Sequence, residues 1–440
     1  MRQVPTDVPS LENREAKGQI TQVRHYRLIT PLFGGGVQPG VVDEKFPVRG
    51  ATVRGQLRFW WRATRGGDHG PTRAAMKAAE DRIWGSTTGG SKVTVAVVNA
   101  KAGQPFQSVD RNGQPTEVGN IRSVDSYAAF PLRGKKAQGG NGWEKEPGVV
   151  HERVTFDLRL SFPTDLAKEV QAALWAWETF GGVGARTRRG FGAVHCTRVD
   201  TIAGDAPGPW QWAYERDDLA GQLEADYKHL VSDQPFPDGV PHLSRDPRRY
   251  RVVTAGPGHD AVAVWRMLIG KLSAFRQSRP PARPPAKKTP GRSYWPEPDA
   301  IRRLTRTPNP LPPERRAHYA FNKFPRAAFG LPIIFEFKNE KNANFYEPRQ
   351  TELKGGDASR MASPLILRPL PLAGGGFAGL ALILDAPGPD DVPGGLALKG
   401  APGNPVVTAQ LNPGEATAIE ANHPSYNGDT DVLQAFLDQL

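Results

Sequence analysis

Cysteine and long apolar runs are what this sequence lacks. Cys196 is the single cysteine among 440 residues, so neither an intramolecular disulfide nor a cysteine-based zinc site can form. No stretch approaches the apolar length of a membrane span, and the polar N-terminal residues 1–18 lack the apolar core of a secretory signal. These absences predict a soluble protein of a reducing, cytoplasmic compartment that does not contact membranes.

Acidic residues are outnumbered by basic ones, 45 to 57, which gives a formal net charge of +12 at pH 7. An excess of this size favours an anionic partner such as nucleic acid, although charge can also serve solubility alone. Signals of catalysis are sparse, because no histidine pair has metal-ligand spacing and the G-x-S-x-G motif is absent. We therefore expect a protein that binds an anion, with no metal, no cofactor and no enzymatic activity.

The stretch Gly181–Gly192, GGVGARTRRGFG, combines glycines and three arginines without an acidic residue. Glycine lets a ligand approach the backbone, and the planar guanidinium group suits phosphate. A mobile connector with solvated arginines is the simpler interpretation, but a connector does not need three arginines beside exposed backbone. We predict that this loop binds the RNA backbone. The residues expected to contact phosphate are Gly182, Gly184, Arg186, Arg188, Arg189, Gly190 and Gly192.

Two further basic groups are candidate RNA contacts. A predicted helix within Val48–Gly67 carries an arginine every four residues along one face, and these are Arg54, Arg58 and Arg62. Their mutual repulsion would be relieved by an anionic ligand or by acidic neighbours, whereas Trp60 and Trp61 are assigned to the core. The third group lies in a proline-rich segment and consists of Arg292, Arg302 and Arg303.

Hydrophobic periodicity organises the first half of the chain. Strict alternation predicts a strand at Val154–Phe162, and apolar residues at helical spacing then predict a helix that follows an N-cap at Thr164 and ends at Gly181. Further strands are predicted at Ile20–Ile29, Lys92–Asn99 and Ala193–Val199, and helices at Thr52–Arg65 and Thr72–Trp84. The resulting order, β-α-β-β-α-β, is that of ferredoxin-like and RRM-like domains.

Composition divides the chain into three parts. Residues 1–18 are predicted to form a flexible arm, 19–205 a ferredoxin-like domain with the glycine-rich loop, and 206–440 a second domain of the same kind. Within the second domain, residues 276–326 contain twelve prolines and thirteen lysines or arginines against three acids, so we expect this segment to be extended or surface-bound. The predicted fold class is α+β, with two ferredoxin-like domains and long loop insertions.

This order, with a glycine–arginine loop before the last strand, resembles the RAMP superfamily of CRISPR RNA-binding proteins. Five stretches are similar to the first-numbered RAMP subunits of the type III-B (Cmr) effector complex: ITPLFGGG, VRGATVRGQLRFWWRA, RSYWPEPDAIR, FPRAAFGLPIIFEF and SRMASPLILRP. The resemblance implies two ferredoxin-like domains in a non-catalytic antiviral-defence subunit, because target cutting belongs to another subunit of the family. Its implied partners are CRISPR guide RNA or the guide–target RNA duplex, near the guide 3′ end, and other RAMP subunits of the complex.

Two alternatives remain open at the level of the sequence. One is a metal-independent RAMP endoribonuclease that processes CRISPR RNA, with a histidine such as His25, His151 or His195 as general base. The other is an architectural subunit that contacts protein only. The first predicts discrete cleavage of repeat RNA, and the second predicts that the loop arginines do not affect RNA affinity.

Overall fold

The computed structural model describes residues 18–36, 41–137, 142–205, 210–256, 258–280, 293–306, 319–337, 347–357 and 360–440. Its helices are α1 Gly50–Arg65, α2 Arg73–Trp84, α3 Ala167–Phe180, α4 Leu219–Leu230, α5 Ala261–Arg276, α6 Glu297–Leu304, α7 Pro413–Glu420 and α8 Val432–Asp438. Its strands are β1 Gln19–Leu28, β2 Thr94–Lys101, β3 Gln104–Pro105, β4 Gln107–Val109, β5 Pro115–Glu117, β6 Lys135–Lys136, β7 Trp143–Lys145, β8 His151–Glu152, β9 Thr155–Pro163, β10 Val194–Ala203, β11 Tyr250–Val253, β12 Ile333–Phe335, β13 Thr351–Gly355, β14 Leu365–Pro371, β15 Phe377–Ile383, β16 Leu396–Lys399 and β17 Val406–Val407. None of the helices in these ranges has the length and apolar character needed to cross a membrane.

Four antiparallel strands form the sheet of the first half, in the order β10-β1-β9-β2. Along the chain they alternate with helices as β1-α1-α2-β2-β9-α3-β10. The order expected from the sequence is therefore present, and α2 corresponds to the second helix predicted between the first two strands. The short strands β3 to β8 belong to an insertion between β2 and β9, which we call the insertion (residues 104–152).

The core of the first half lies between this sheet and the helices α1 and α3. Alternate residues of β9, from Phe156 to Phe162, are at most 1% exposed. Helix α1 contributes Trp60 and Trp61, at 2% and 0% exposed, which confirms their assignment to the core. Helix α3 is buried along most of its length and ends at Gly181, as predicted. Burial of these large apolar side chains is the main favourable term for this half.

The start of α3 differs from the prediction. Thr164 does not cap it; Thr164–Leu166 instead forms a short 3-10 turn, and the helix begins at Ala167 without a side-chain cap hydrogen bond. Turns of this kind are common at helix N-termini, where they satisfy part of the unpaired backbone. The cap signal therefore identified the right region but not the right residue.

The second half contains two separate antiparallel sheets among the described residues. One has the order β11-β15-β14 and packs against α5 and α8, and the other has the order β12-β13-β16-β17. The elements of the first of these occur along the chain as β11, α5, β14, β15 and α8, interrupted by α6, α7 and the strands of the other sheet. Its strand order is 1-3-2, which a ferredoxin-like sheet has before its fourth strand is added. No fourth strand pairs with it in the described ranges, so the second ferredoxin-like domain stays a prediction.

The expectation of an extended proline-rich segment is wrong for residues 293–306. Trp295, just before α6, and Ile301, within α6, are fully buried, and they belong to two different hydrophobic clusters. An ion pair accompanies this burial: the Glu297 carboxylate lies 3.1 Å from Nε of Arg326. Residues 281–292 and 307–318 of the same segment lie outside the described residues.

Candidate nucleic-acid interface

The glycine-rich loop, Gly181–Gly192, connects α3 to β10 and is folded tightly on the protein. Gly192 has a φ of 60°, and a Cβ atom there would lie 2.0 Å from the Val183 carbonyl oxygen. At Gly190, with a φ of 79°, a Cβ atom would lie 2.6 Å from the indole of Trp265. These glycines are therefore required by close packing within the protein, whatever else the loop binds.

Backbone donors of the loop are largely occupied. The N–H of Gly190 donates to the Thr187 carbonyl at 2.9 Å, and that of Gly192 donates to the Pro31 carbonyl at 2.8 Å. Gly182 is bridged to Ala193 as an isolated β-bridge. A Cβ atom on Gly184, which has a φ of 84°, would lie 2.6 Å from a carbonyl oxygen of Phe33. Gly190 and Gly192 were predicted to contact phosphate, but in this structure their backbone N–H groups are not free to do so.

Arg189 is the buried member of the three loop arginines. Its guanidinium group donates to the backbone carbonyls of Leu365 and Phe329, both at 3.0 Å, and its own carbonyl accepts from Nε1 of Trp265 at 2.7 Å. Burial, with a smaller contribution from neighbouring Arg276, lowers the pKa of Arg189 to about 9. Arg189 therefore joins the first half to the second, and its donors are directed at protein rather than outward.

Arg188 has an intermediate position. One nitrogen donates to the Ser363 carbonyl, just before β14, and the guanidinium carbon lies 5.8 Å from the ring centroid of Phe59 on α1. Burial lowers the pKa of Arg188, but the side chain keeps partial exposure. Arg188 therefore combines remaining donors with an adjacent aromatic ring, the two kinds of group that proteins use to contact phosphates and unpaired bases.

The side chain of Arg186 has no hydrogen bond or ion pair within the part of the chain that the structure describes, although its backbone carbonyl accepts from the Arg189 N–H at 2.8 Å. Its backbone is left-handed, with a φ of 57°, and its Nε atom is buried without a hydrogen-bond acceptor. Burial lowers the pKa of Arg186, and the charge of Arg276 lowers it further. Left-handed backbone at a non-glycine residue costs about 1–3 kcal/mol and is concentrated at functional sites. Arg186 is therefore the loop arginine most available to a ligand.

The basic face of α1 is mostly neutralised by acidic neighbours, which was one of the two possibilities left open. Arg58 Nε and Arg62 Nη1 each lie 2.6 Å from the same carboxylate oxygen of Glu80, which is 2% exposed. Arg65 likewise lies 3.3 Å from Glu169. Arg54 has no such partner among the described residues and is half-buried. Arg58 and Arg62 thus hold α1 to α2, and Arg54 remains a candidate contact.

The third predicted group is also used within the protein. Arg302 makes a bidentate pair with Glu347, at 2.7 and 2.9 Å. Arg303 donates to the carbonyls of Tyr319, at 2.6 Å, and Phe321, and to the Asn322 side chain at 3.0 Å. Arg292 lies outside the described residues. These contacts stabilise the packing of α6, and the two described arginines do not join the loop arginines in one surface.

Two arginines that the sequence analysis did not single out lie against the loop. Arg368 on β14 is 1% exposed and donates to the carbonyls of Gly181, at 2.6 Å, and Val194, at 2.8 Å, so it holds both ends of the loop. Arg276 is the last residue of α5 and donates to the hydroxyl of Tyr127 at 2.8 Å. The sequence around each arginine does not indicate these contacts, because the partners lie more than a hundred residues away in the chain.

The three histidines considered as general bases have different surroundings. His25 lies between Asp157 and Asp200, at 2.6 and 3.0 Å. His151 makes a 3.1 Å contact with a backbone carbonyl. Burial and the charge of Arg27 lower the pKa of His195 to about 4. No group of three potential metal ligands is present in the described ranges. A neutral imidazole can accept a proton, so the nuclease alternative stays a hypothesis.

With this geometry in place, the comparisons with known proteins define the class. The RAMP superfamily model matches residues 25–195, which span the first sheet and the loop. Two relatives from Pyrococcus furiosus match in sequence. The CRISPR system Cmr subunit Cmr1-2 is 31% identical over 176 residues, which cover 38% of this chain and 89% of the relative. Cmr subunit Cmr1-1 is 27% identical over 164 residues, covering 37% of this chain and 44% of the relative.

The chain therefore belongs to the RAMP superfamily, within the family of Cmr1 subunits. Among solved structures it is similar to the crystal structure of Cmr1 from Pyrococcus furiosus in its apo form, with a TM-score of 0.45, 16% identity and coverage of 92% of this chain and 97% of that chain. It is also similar to a chain of the cryo-EM structure of the type III-B Cmr-beta complex bound to cognate target RNA and AMPPnP in the presence of ssDNA, with a TM-score of 0.48, 10% identity and coverage of 96% and 99%.

Proposed function

We propose that this protein is an RNA-binding subunit of a type III-B CRISPR effector, the Cmr complex. In this role it binds guide RNA, or the guide–target duplex near the guide 3′ end, and docks on neighbouring RAMP subunits without cutting RNA itself. Membership in the Cmr1 family supports the assembly, since its relatives carry the name of subunits of the CRISPR Cmr system. We further propose that the 1-3-2 sheet of the second half is a ferredoxin-like domain without its fourth strand.

The observation that carries RNA binding is the lack of a carboxylate partner at Arg186 and Arg188. Three other half-buried arginines of the described ranges, Arg58, Arg62 and Arg302, are paired with acids. Guanidinium groups that are partly buried and left without a counter-ion favour an anionic ligand, and they bind phosphate in a bidentate manner. Phe59 beside Arg188 supplies an aromatic ring for stacking on an unpaired base.

Phosphate contacts of this kind give affinity without sequence readout, so base pairing by the guide would supply specificity. Arg54, which also lacks a partner in the described part of the chain, is proposed as a second contact on α1. Arg292, which was predicted from the sequence to contact RNA, is proposed as a further contact. Arg58, Arg62, Arg189, Arg302 and Arg303 are proposed to act indirectly, by holding the elements that present the other arginines.

The test is the salt dependence of RNA binding by the double variant Arg186→Ala/Arg188→Ala. Each phosphate contact to a single strand contributes about 0.7 to the slope of log K against log salt concentration, so the slope should become shallower by about 1.4. Fluorescence anisotropy with a labelled unpaired RNA measures this. Arg82→Ala, which removes an exposed charge on α2, is the matched control and should leave the slope close to that of the wild type.

A double variant with the wild-type slope and affinity would contradict the proposal and favour the protein-only architectural role. Thermal unfolding of each variant shows whether weaker RNA binding comes from a lost RNA contact or from a less stable fold. A shallower slope in Arg82→Ala as well would mean that the effect is one of overall charge and not of this loop.

A further inference from the structure

Arg276 ends α5 beside the loop and has no carboxylate partner within the described residues. Its Nη1 atom donates to the Tyr127 hydroxyl at 2.8 Å, and its guanidinium carbon lies 5.2 Å from the ring centroid of Phe329. Its Nε atom is buried without an acceptor, as is Nε of Arg186. Two neighbouring arginines on different elements therefore both have unsatisfied, partly buried donors.

The charges of these arginines act on each other. Arg276 contributes to the lowered pKa values of both Arg186 and Arg189, after the larger effect of burial. Uncompensated charges of one sign at a partly desolvated position are unfavourable unless an anion is present. Neutral side chains at these positions would not have this electrostatic cost. A bound phosphate group would offset it.

Tyr127 belongs to the insertion and is held in place by its surroundings. Two residues before it, Asp125 is 2% exposed and forms a bidentate pair with Arg266 of α5, with both distances at 2.8 Å. Ser108 donates to the same carboxylate at 2.6 Å. Because the Tyr127 oxygen accepts from Arg276, its own hydrogen is left to donate to another acceptor. The insertion thus presents a fixed hydroxyl donor next to two unsatisfied guanidinium groups.

We propose that Arg186, Arg276 and Tyr127 form one binding site for a phosphodiester group of RNA. The loop, α5 and the insertion each contribute one side chain, so the site exists only where the two halves of the chain and the insertion meet. This inference rests on the proposed function, in which the loop binds RNA. It adds two binding residues outside the loop and gives the insertion a role in recognition.

The test compares three variants of the full-length protein with a labelled, unpaired RNA as the probe. Arg276→Ala should weaken binding about tenfold, the value of one charge-assisted hydrogen bond, and make the salt slope shallower by about 0.7. Arg276→Lys should keep the slope and lose affinity, because the charge remains and the fork is lost. Tyr127→Phe should weaken binding severalfold with the slope unchanged, since it removes a donor and no charge.

The outcomes separate this inference from the function on which it rests. If Arg186→Ala/Arg188→Ala makes the slope shallower and Arg276→Ala does not, the composite site is wrong and the proposed function stands. If all arginine variants bind as the wild type does, both fail. If Arg276→Ala does not fold, Arg276→Lys and Tyr127→Phe decide, and wild-type affinity in both overturns the site. Binding of polyglutamate of equal charge as tightly as RNA would also overturn it, because it would indicate an acidic protein partner.

Discussion

Glu178, near the end of α3, pairs with one buried arginine, Arg24, and its charge also acts on a second, Arg368. Its Oε1 atom lies 2.8 Å from Nη2 of Arg24 and accepts from the Tyr26 hydroxyl at 2.6 Å. Burial alone would lower the pKa of Arg24, but the charge of Glu178 raises it above its usual value. Glu178 also raises the pKa of Arg368, against the dominant lowering effect of burial.

Glu178→Gln tests how much this carboxylate contributes. Glutamine keeps the shape and one acceptor oxygen but removes the charge, which leaves Arg24 and Arg368 buried without a counter-ion. Breaking a buried ion pair from one side costs about 3–5 kcal/mol. For a domain of this size, we expect Tm to fall by roughly 10 °C, with a matching decrease in the free energy of unfolding measured in urea.

The reasoning requires that the cost comes from the unpaired charge and not from lost packing. The double variant Arg24→Met/Glu178→Leu should therefore be more stable than Glu178→Gln, although Arg368 remains unneutralised. If the Tm of Glu178→Gln lies within about 2 °C of the wild-type value, the loss of stability is below about 1 kcal/mol by the same scaling, and the argument is refuted. So would a double variant that is less stable than the single one.

Other predictions concern the loop and the open face of the first sheet. Gly192→Ala should be strongly destabilising in thermal unfolding, because its Cβ atom would lie 2.0 Å from the Val183 carbonyl, whereas Gly270→Ala, on an exposed and open position of α5, should stabilise the protein by about 1 kcal/mol. Equal effects of the two would contradict the packing assigned to the loop. For His195, with a folded pKa of about 4 against about 6.5 unfolded, the unfolded state binds the proton first as the pH falls, so stability should decrease from pH 6.5 to 4. Over this pH range the wild type should lose at most about 3 kcal/mol more stability than His195→Gln, and about half of that once solvent screening is included. An equal loss in both proteins would mean that the imidazole is not desolvated.

Features with a local cause could be predicted from the sequence. The alternation along β9 and the helical spacing along α3 reflect one buried face each, so both elements were located within a few residues. Trp60 and Trp61 were assigned to the core because helix α1 has one apolar side, and both are buried. The succession of strands and helices along the first half was also predicted from these patterns.

The roles of single arginines could not be predicted, because they depend on partners that are distant in the chain. Arg58 and Arg62 share Glu80, and their spacing along α1 contains no information about that residue. Arg189 is directed at a carbonyl 176 positions away, although its neighbour Arg188 has the same local sequence context. Charge composition favours an anionic partner but does not indicate which cations are free to bind it.

The loop is a joint between the halves, and in the proposed function it is also a surface that binds RNA. Arg189 and Arg368, both directed inward, hold the loop against the strand β14, and Arg186 in the same loop has a left-handed backbone. Arg186 and Arg276 come from opposite sides of the joint, so an anion between them attracts both halves at once. Because their mutual repulsion opposes the closed joint, neutralisation by phosphate favours it. On this reasoning RNA binding and the association of the two halves are thermodynamically coupled, and an anion that binds at the joint also stabilises the fold around it.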